Sequence, residues 1–413
     1  MLVYKFGGAS VKDADGIRNL TDIISKEKGN LLVVISAMGK MTNAFEILLE
    51  AYLSKQDFSK ALQFIVHYHQ KIIKDLNIDA CLFDEYLSLL ETELKQEPTS
   101  DYNYEYDKII AYGELFSTII VWLYVRQVMG QTKWIDVRDI IKTDSNFRFA
   151  RVNWQETQSK TLETINFSKH RIYLTQGFIA SDSKNRTTTL GREGSDYSAA
   201  ILSYILSAKS ITIWKDVEGV LTADPSLFET PSLLQQLSFY DAIELAFFGA
   251  KIIHPKTIQP LRNKKIPLYV KSFLEPDKQG TLVSKQKVNI QTPIVIIKDN
   301  QVLFSITTRD FSFVDEKNIS SIFAILSEYN AKVNMMQNGA VSFSLVVDYM
   351  PKMFNGLLEK LSADFDVRYN LNLKLITIRH YTKEKVAELL GEQKIYLEQK
   401  SRNTAQYLVD SKH

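Results

Sequence analysis

Apolar and polar positions follow two different rhythms along the chain. "LVYKF" reads as a strand, and "DADGIRNLTDIISKE" places Ile17, Leu20, Ile23 and Ile24 on one helical face. "NLLVVISAM" is a continuous apolar run, as expected of a strand buried on both faces of a sheet. Together they form a β-α-β unit and predict an α/β fold, a parallel or mostly parallel sheet covered by helices. From residue 43 to about residue 130 the pattern is mostly helical, interrupted by "QEPTSDYNYEYD", which reads as an exposed loop. Strands resume at "KWIDV", "RIYLTQGFIA" and "SITIWKDV", and helices at "GSDYSAAILSYIL" and "SFYDAIELAFFGA". "IPLYVKSF" reads as the last strand of this part. The polar, turn-rich "LEPDKQGTLVSKQKVN" marks the boundary, giving one domain over 1–285 and a second region over 292–413.

The second region has shorter elements. "PIVIIKDNQVLFSIT" reads as two short strands around an Asp-Asn turn, followed by helix "NISSIFAILSEYNA", strand "AVSFSLVVD", helix "FNGLLEKLSA" and strand "FDVRYNL". A shorter round comes next: "LKLITIRHY", "KEKVAELLG", "KIYLEQKS" and "TAQYLVD". The pattern predicts two small α+β modules, the second abbreviated, in a weak internal repetition.

Composition narrows the function classes. The chain has 413 residues, 45% hydrophobic and 24% charged, and a net charge of +2 from 50 basic and 48 acidic residues. That balance provides no field to argue for nucleic acid or membrane. No apolar run reaches the roughly 20 residues of a membrane span, and Gly7 and Gly8 interrupt the first apolar stretch where a signal sequence would continue. Cys81 is the single cysteine, so an intramolecular disulfide is excluded and a reducing, cytoplasmic setting is expected. The six histidines form no HExxH or Cys/His cluster, so no protein-built metal site is expected. His67 and His69 fall on different helical faces and read as surface or packing residues.

Five stretches carry candidate chemistry. In "VYKFGGAS" a strand ends in Lys5 and loses its side chains at Gly7 and Gly8, ahead of Ser10. Such a pair permits close approach to the backbone and exposes amides suited to an anion. "TTTLGREGSDYSAA" sets Arg192 in a turn and Ser195 and Asp196 just before a helix. A guanidinium there can grip a carboxylate or phosphate, or the stretch is an ordinary helix cap, made by Ser195 or Asp196, beside a solvated arginine. "IWKDVEGVLTADP" ends a strand at Asp216, where ligands of open sheets collect, or is a plain strand-to-loop junction. Lys251 in "GAKIIHP" is a point charge suited to phosphate, or a surface lysine. Glu114 in "AYGELFST" reads as an acid in a first helical turn, which the dipole favours with or without a ligand.

Taken together these stretches resemble the aspartate kinases of the amino acid kinase superfamily, over nearly the whole chain and in the same order. "KFGGAS" resembles the family's KFGGTS, "SAMGKMTN" its next loop, and "GE" the head of the following helix. "TTTLGREGSD" resembles the specific TTTLGRGGSD signature, and "DVEGVLTADP" and "FGAKIIHP" the nucleotide-side motifs. The carboxyl region resembles the paired ACT modules of that family. The resemblance implies transfer of the ATP γ-phosphoryl group to the side-chain carboxylate of L-aspartate, the first step of lysine, threonine and methionine biosynthesis. It implies magnesium carried with ATP and a homodimer joined through the carboxyl modules. Two alternatives are a kinase for another acidic amino acid, such as glutamate, and a non-catalytic amino-acid sensor on the same fold.

By the same resemblance, Lys5 and Lys251 stabilise the transferring phosphoryl group, and Glu114 binds the substrate ammonium or positions Lys5. Arg192 holds the α-carboxylate, while Ser36, Thr42 and Ser195 hydrogen-bond substrate. Gly7, Gly8, Ser10, Asp196, Lys215 and Asp216 line the ATP side with the two lysines. Four residues depart from the family pattern. Glu193 replaces a usual glycine, Lys215 a threonine, Leu221 a tyrosine near adenine, and Ser226 an arginine. The effector loop "TTRDFSFVDEKNIS" has no glycine, and the usual Val-Asp pair is Val333-Asn334. "MMQNGAVSFS" departs from a Thr-Ser-Glu stretch, and the second module stops soon after "TAQYLVD". Weak or absent feedback by lysine or threonine is therefore expected, unless Asp310 or Asp315 replaces the missing acid.

Overall fold

Four of the five residues of β1 (Leu2–Phe6) and all five of β2 (Leu31–Ile35) are buried. Strands covered on both faces belong in the middle of a sheet. The computed structural model, which describes residues 1–250, 253–310 and 312–411, places them there. Between them lie a 3-10 turn (Gly8–Val11) and α1 (Ala14–Ser25), which Asp13 caps by accepting the Gly16 N–H. Ile17, Leu20, Ile23 and Ile24 bury the predicted face. Four helices follow, α2 (Met41–Leu53), α3 (Ser59–Leu76), α4 (Cys81–Leu94) and α5 (Tyr102–Met129). Then come β3 (Thr132–Ile135), α6 (Val137–Ile140), β4 (Lys142–Thr143), α7 (Trp154–Thr164), β5 (Ile172–Gln176), β6 (Ile179–Asp182) and β7 (Thr187–Thr189). The first part closes with α8 (Gly194–Ile205), β8 (Ser210–Lys215), β9 (Gln236–Ser238), α9 (Phe239–Phe248), α10 (Pro255–Lys264), β10 (Leu268–Ser272) and β11 (Thr281–Ser284).

The main sheet has the order β3-β5-β2-β1-β8-β10-β11-β9. All its pairings are parallel except β10 with β11. Three expectations are corrected here. "RIYLTQGFIA" is two strands, because Phe178 is left-handed (φ 70) and turns β6 out into a separate sheet, β4-β6-β7. "YNYEYD" is not exposed loop but the first turns of α5, which Asp101 caps by accepting the Asn103 and Tyr104 N–H groups. Glu105, Tyr106 and Asp107 are buried there. Finally, β10 is not the last strand, since the boundary stretch adds β11 to the sheet edge. Among the described residues α5 alone is long and apolar enough, by length and composition, to cross a membrane. It is a core helix, with 78% of its apolar window buried in the protein.

The remaining elements are β12 (Ile294–Thr308), α11 (Glu316–Glu328), β13 (Val333–Asn338), β14 (Ser342–Asp348), α12 (Pro351–Asp364), β15 (Phe365–Arg379), α13 (Lys383–Leu390), β16 (Ile395–Lys400) and β17 (Thr404–Asp410). Their sheet is wholly antiparallel, ordered β13-β14-β12-β15-β17-β16. The Asp-Asn pair does not end a strand. Left-handed Asn300 (φ 55) sits where the β12–β15 register shifts, so one 15-residue strand runs through. β15 is likewise continuous past left-handed Asn372 (φ 57). These two long strands serve both modules. The carboxyl half of β12 packs with α11 and α12 around Phe304, Leu345 and Leu357. Its amino half joins α13 and β17 around Ile376, Ile378 and Tyr407.

The chain resolves into two compact units. The first takes Met1–Val220, Leu233–Ala246 and the stretch ending at Val288. The second takes Leu221–Ser232, Phe247–Ala250 and the chain from Asn289 onward. Within the second, Ala223 and Phe228 pack on the Ile376–Tyr407 cluster, and the Val295 N–H bonds the Thr222 carbonyl at 2.8 Å.

Candidate active site

A cavity of about 650 Å3 opens in the first unit where β1, β2 and β8 end. Close backbone contact forms its floor. A Cβ on Gly8 would lie 2.6 Å from the Ala37 carbonyl oxygen and 2.9 Å from that of Gly39, so only glycine lets the β1 and β2 loops meet. The Gly39 N–H reaches the Gly8 carbonyl at 3.0 Å across this seam. Gly177 does the same for α8, since a Cβ there would stand 2.5 Å from that of Ser195.

Lys5 and Asp196 meet in the interior at 2.6 Å, with side chains 10% and 5% exposed. This corrects the helix-cap expectation. The residue preceding α8 is Glu193, left-handed (φ 54) and without a side-chain cap, while Asp196 is spent on Lys5. The first amides of α8 therefore stay uncapped by side chains at the cavity wall, an arrangement suited to an anion. Glu193 occupies a backbone conformation that glycine adopts freely, and its Oε2 is buried without a partner.

Glu114 lies in the middle of α5, not at a helix head, so no helix dipole explains it. Its Oε1 accepts the Ala37 N–H at 3.3 Å, and its Oε2 is buried without a partner. Burial pushes its carboxyl up to about 8, with the Ala37 N–H and Lys5 pulling the other way. Ser36, in the β2 loop, holds α5 through its carbonyl, which accepts the Ser117 hydroxyl at 2.7 Å. Thr42 is in the first turn of α2, and Ser10 in the 3-10 turn with its hydroxyl buried and unpartnered. Arg192 is exposed on the turn between β7 and α8, Lys215 ends β8, and exposed Asp216 follows it.

The cavity wall thus gathers Lys5, Gly7, Gly8, Ser10, Ser36, Thr42, Glu114, Arg192, Ser195, Asp196, Lys215 and Asp216. Lys251 lies outside the described residues. Leu221 and Ser226 fall in the segment that clusters with the second unit, where the Ser226 N–H and hydroxyl both bond Asp224 Oδ1, at 2.9 and 2.6 Å. His69 is buried against the Ile65 carbonyl at 2.7 Å and burial holds its imidazole down at about 4, while His67 is exposed, so both are packing or surface residues.

Sequence reasoning missed several wall residues, among them Tyr106, Arg148, Phe178 and Trp214. Trp214 stacks on Phe6 with centroids 5.8 Å apart and planes at 4°. Asp107 was missed with them. It is fully buried and accepts the Arg148 N–H, the Thr189 N–H and the Thr189 hydroxyl, all at 2.7–2.8 Å. Burial raises its carboxyl to about 6 against these three donors. The signal that would have found both Tyr106 and Asp107 is Asp101, a helix-capping residue just ahead of the tyrosine-rich stretch.

Known proteins resemble the chain over most of its length. Residues 1–272 match the model of the amino acid kinase family. The chain is 32% identical over 398 residues to lysine-sensitive aspartokinase 3 of Escherichia coli (strain K12), covering 92% of this chain and 86% of that protein. It is 29% identical over 390 residues to the chloroplastic bifunctional aspartokinase/homoserine dehydrogenase 2 of Arabidopsis thaliana, covering 88% of this chain but 42% of that longer protein. The crystal structure of E. coli aspartokinase III in complex with aspartate and ADP (R-state) matches with a TM-score of 0.84 at 27% identity, covering 100% of this chain and 96% of that one. Sharing the fold throughout and the sequence over nine-tenths of its length, the chain belongs to the aspartokinases of the amino acid kinase family.

Proposed function

We propose that the chain transfers the γ-phosphoryl group of ATP to the side-chain carboxylate of L-aspartate, giving 4-phospho-L-aspartate and ADP. The observation that carries this reading is one cavity holding the Lys5–Asp196 pair, the Gly7–Gly8 loop, Arg192 and the unpartnered Glu114 oxygen. The nucleophile has an ordinary pKa of about 3.9 and is ionised at neutral pH. No general base is needed, and the barrier lies in bringing a carboxylate onto a polyanion. Positioning and charge neutralisation therefore do the work. In this reading Lys5 and Lys251 face the transferring phosphoryl group, and Gly7, Gly8 and Ser10 the phosphates. Arg192, Thr42, Ser36 and Ser195 hold the amino acid, and Glu114 takes its ammonium. Asp196, Lys215 and Asp216 lie on the nucleotide side.

The donors present fit magnesium that arrives with ATP rather than a resident ion. Among the described residues no three acidic, histidine or cysteine side chains cluster, and Asp196 already pairs with Lys5. Magnesium keeps several waters and takes one or two carboxylates besides the phosphates, and Asp216 is an exposed carboxylate on this wall. When bound, the ion neutralises phosphate charge. We further propose residues 1–285 as the catalytic domain and 292–413 as a regulatory and dimerising region, in a cytoplasmic homodimer that serves lysine, threonine and methionine synthesis.

The test is aspartate-dependent ADP release with hydroxylamine trapping of the acyl phosphate as a hydroxamate. ATP binding without turnover across a panel of acidic amino acids would support a sensor instead. Preference for glutamate in that panel would reassign the substrate.

A further inference from the structure

Arg148 lines the same cavity and has no part in the reading above. Its backbone is left-handed (φ 68), a conformation that arginine adopts only at a cost. Strain of this kind persists where surrounding structure imposes it. Here the Arg148 N–H is held by buried Asp107 at 2.8 Å, and the next residue but one, Ala150, donates its N–H to Thr189 at 3.0 Å. The guanidinium is also held, stacked over the Tyr106 ring at 4.3 Å from its centroid and 5.6 Å from that of Tyr102. Stacking leaves the in-plane N–H donors of a guanidinium free to bind an anion. Among the described residues this group donates no hydrogen bond and makes no ion pair, and its Nε is buried without a partner. A cation is thus fixed at both ends on the cavity wall while no protein carboxylate takes its donors.

Its neighbour indicates what does. A Cβ on Gly191 would lie 3.1 Å from the Arg148 carbonyl oxygen, so the Arg148 hairpin abuts the turn that carries Arg192. Arg192 likewise makes no ion pair among the described residues. Two guanidinium groups brought to one wall repel each other until an anion joins them.

We propose that Arg148 is a second substrate-binding guanidinium, which with Arg192 clamps the non-reacting α-carboxylate of the acidic amino acid. The inference rests on the aspartate kinase reading. The α-carboxylate is the favoured partner because a two-pronged cation on the attacking carboxylate would withdraw the charge that must reach phosphorus. A grip on the non-reacting group binds ground and transition states alike.

The decisive variant is Arg148→Gly, because glycine adopts the left-handed backbone of this position without cost. Steady-state kinetics of the full chain should show aspartate KM raised about 10- to 100-fold, the usual effect of losing hydrogen bonds to a charged group. ATP KM should change less than about threefold on the same scale, and kcat should fall far less than kcat/KM. Arg148→Lys, which keeps charge without the fork, should be intermediate, and millimolar guanidinium ion should partly restore the glycine variant. The preference for aspartate over its α-amide should also shrink. A well-folded Arg148→Gly protein with wild-type aspartate KM overturns the proposal, as does a rise confined to ATP KM. If the glycine variant does not fold, Arg148→Gln decides by the same KM comparison. If wild type turns nothing over, calorimetric binding of aspartate to wild type and variant decides: loss of binding in the variant upholds the clamp while the kinase reading fails, and no binding to wild type overturns both.

Discussion

At the Glu114 carboxyl one oxygen has no partner, and burial favours the neutral form up to about pH 8. A substrate ammonium stabilises the ionised form, so binding must expel a proton near neutrality. Aspartate KM is expected to fall as pH rises from about 6 towards about 8, by at most about tenfold per pH unit. Glu114→Gln should raise KM and flatten this profile, and a flat wild-type profile would dismiss the ammonium role. The same shift has a stability sign. Because the folded value is raised, the contribution of Glu114 is complete below the ordinary carboxylate range and is lost as pH rises through about 8. The two ends of the cavity should separate kinetically. Arg192→Ala should mainly raise aspartate KM, because it grips a group that does not react. Lys5→Ala should mainly lower kcat, and Lys251→Ala likewise, because charge redistributes beside them during transfer. Lys5→Ala also strands Asp196 in the interior, at about 3–5 kcal/mol for a broken buried pair, so its kcat must be read below its melting range.

At the scale of elements, Asp107 ties the start of α5 to the 144–151 hairpin and to β7. Asp107→Ala should cost about 2–4 kcal/mol, since three donors lose a charged acceptor. Denaturant melts would show this, and aspartate KM should rise with it as the hairpin loosens. Its carboxyl is also raised, to about 6, so the pH-dependent part of its contribution is whole below about pH 4 and is lost as pH rises through about 6, while the hydrogen bonds themselves remain. Asp107→Asn should remove that slope from stability measured against pH. The partners of Asp107 were not legible in the sequence. Asp107 meets its partners 41 and 82 positions away, and a tyrosine-rich stretch after a proline reads as loop until its helix cap is noticed. The parallel core was legible because full burial erases polar alternation and leaves apolar runs such as that of β2. The glycine at Gly8 was legible for a similar reason, since a Cβ there would meet backbone oxygens at 2.6 and 2.9 Å. The long strands β12 and β15 were misread because left-handed asparagines, ordinarily turn formers, bend them without ending them.

At the scale of the whole molecule the open matter is control. Asn334 donates to Gln301 and Asp348 at 2.8 Å each and accepts the Lys298 ammonium at 2.8 Å. Its donors and acceptor are occupied within the sheet, and it offers no charge to an effector ammonium. Asp315 is spent capping α11, where it accepts the Asn318 N–H at 2.8 Å, and exposed Asp310 accepts the Ser312 N–H at 3.0 Å. Lysine or threonine in the millimolar range should therefore leave the initial rate at sub-saturating aspartate nearly unchanged. Strong inhibition by lysine would show that an acid other than these receives it.

The second unit is assembled from three separate stretches of chain, with Ala223 and Phe228 packed on a cluster otherwise drawn from beyond Asn289. In evolutionary and engineering terms it is not a cassette. A single crossover near residue 288 would hand a new partner the β-strands but leave Leu221–Ser232 and Phe247–Ala250 facing surfaces they did not evolve against. Chimeras that exchange control between relatives should keep solubility and activity only when all three stretches travel together, and the two short ones should accept substitutions only in step with the distant chain they pack on.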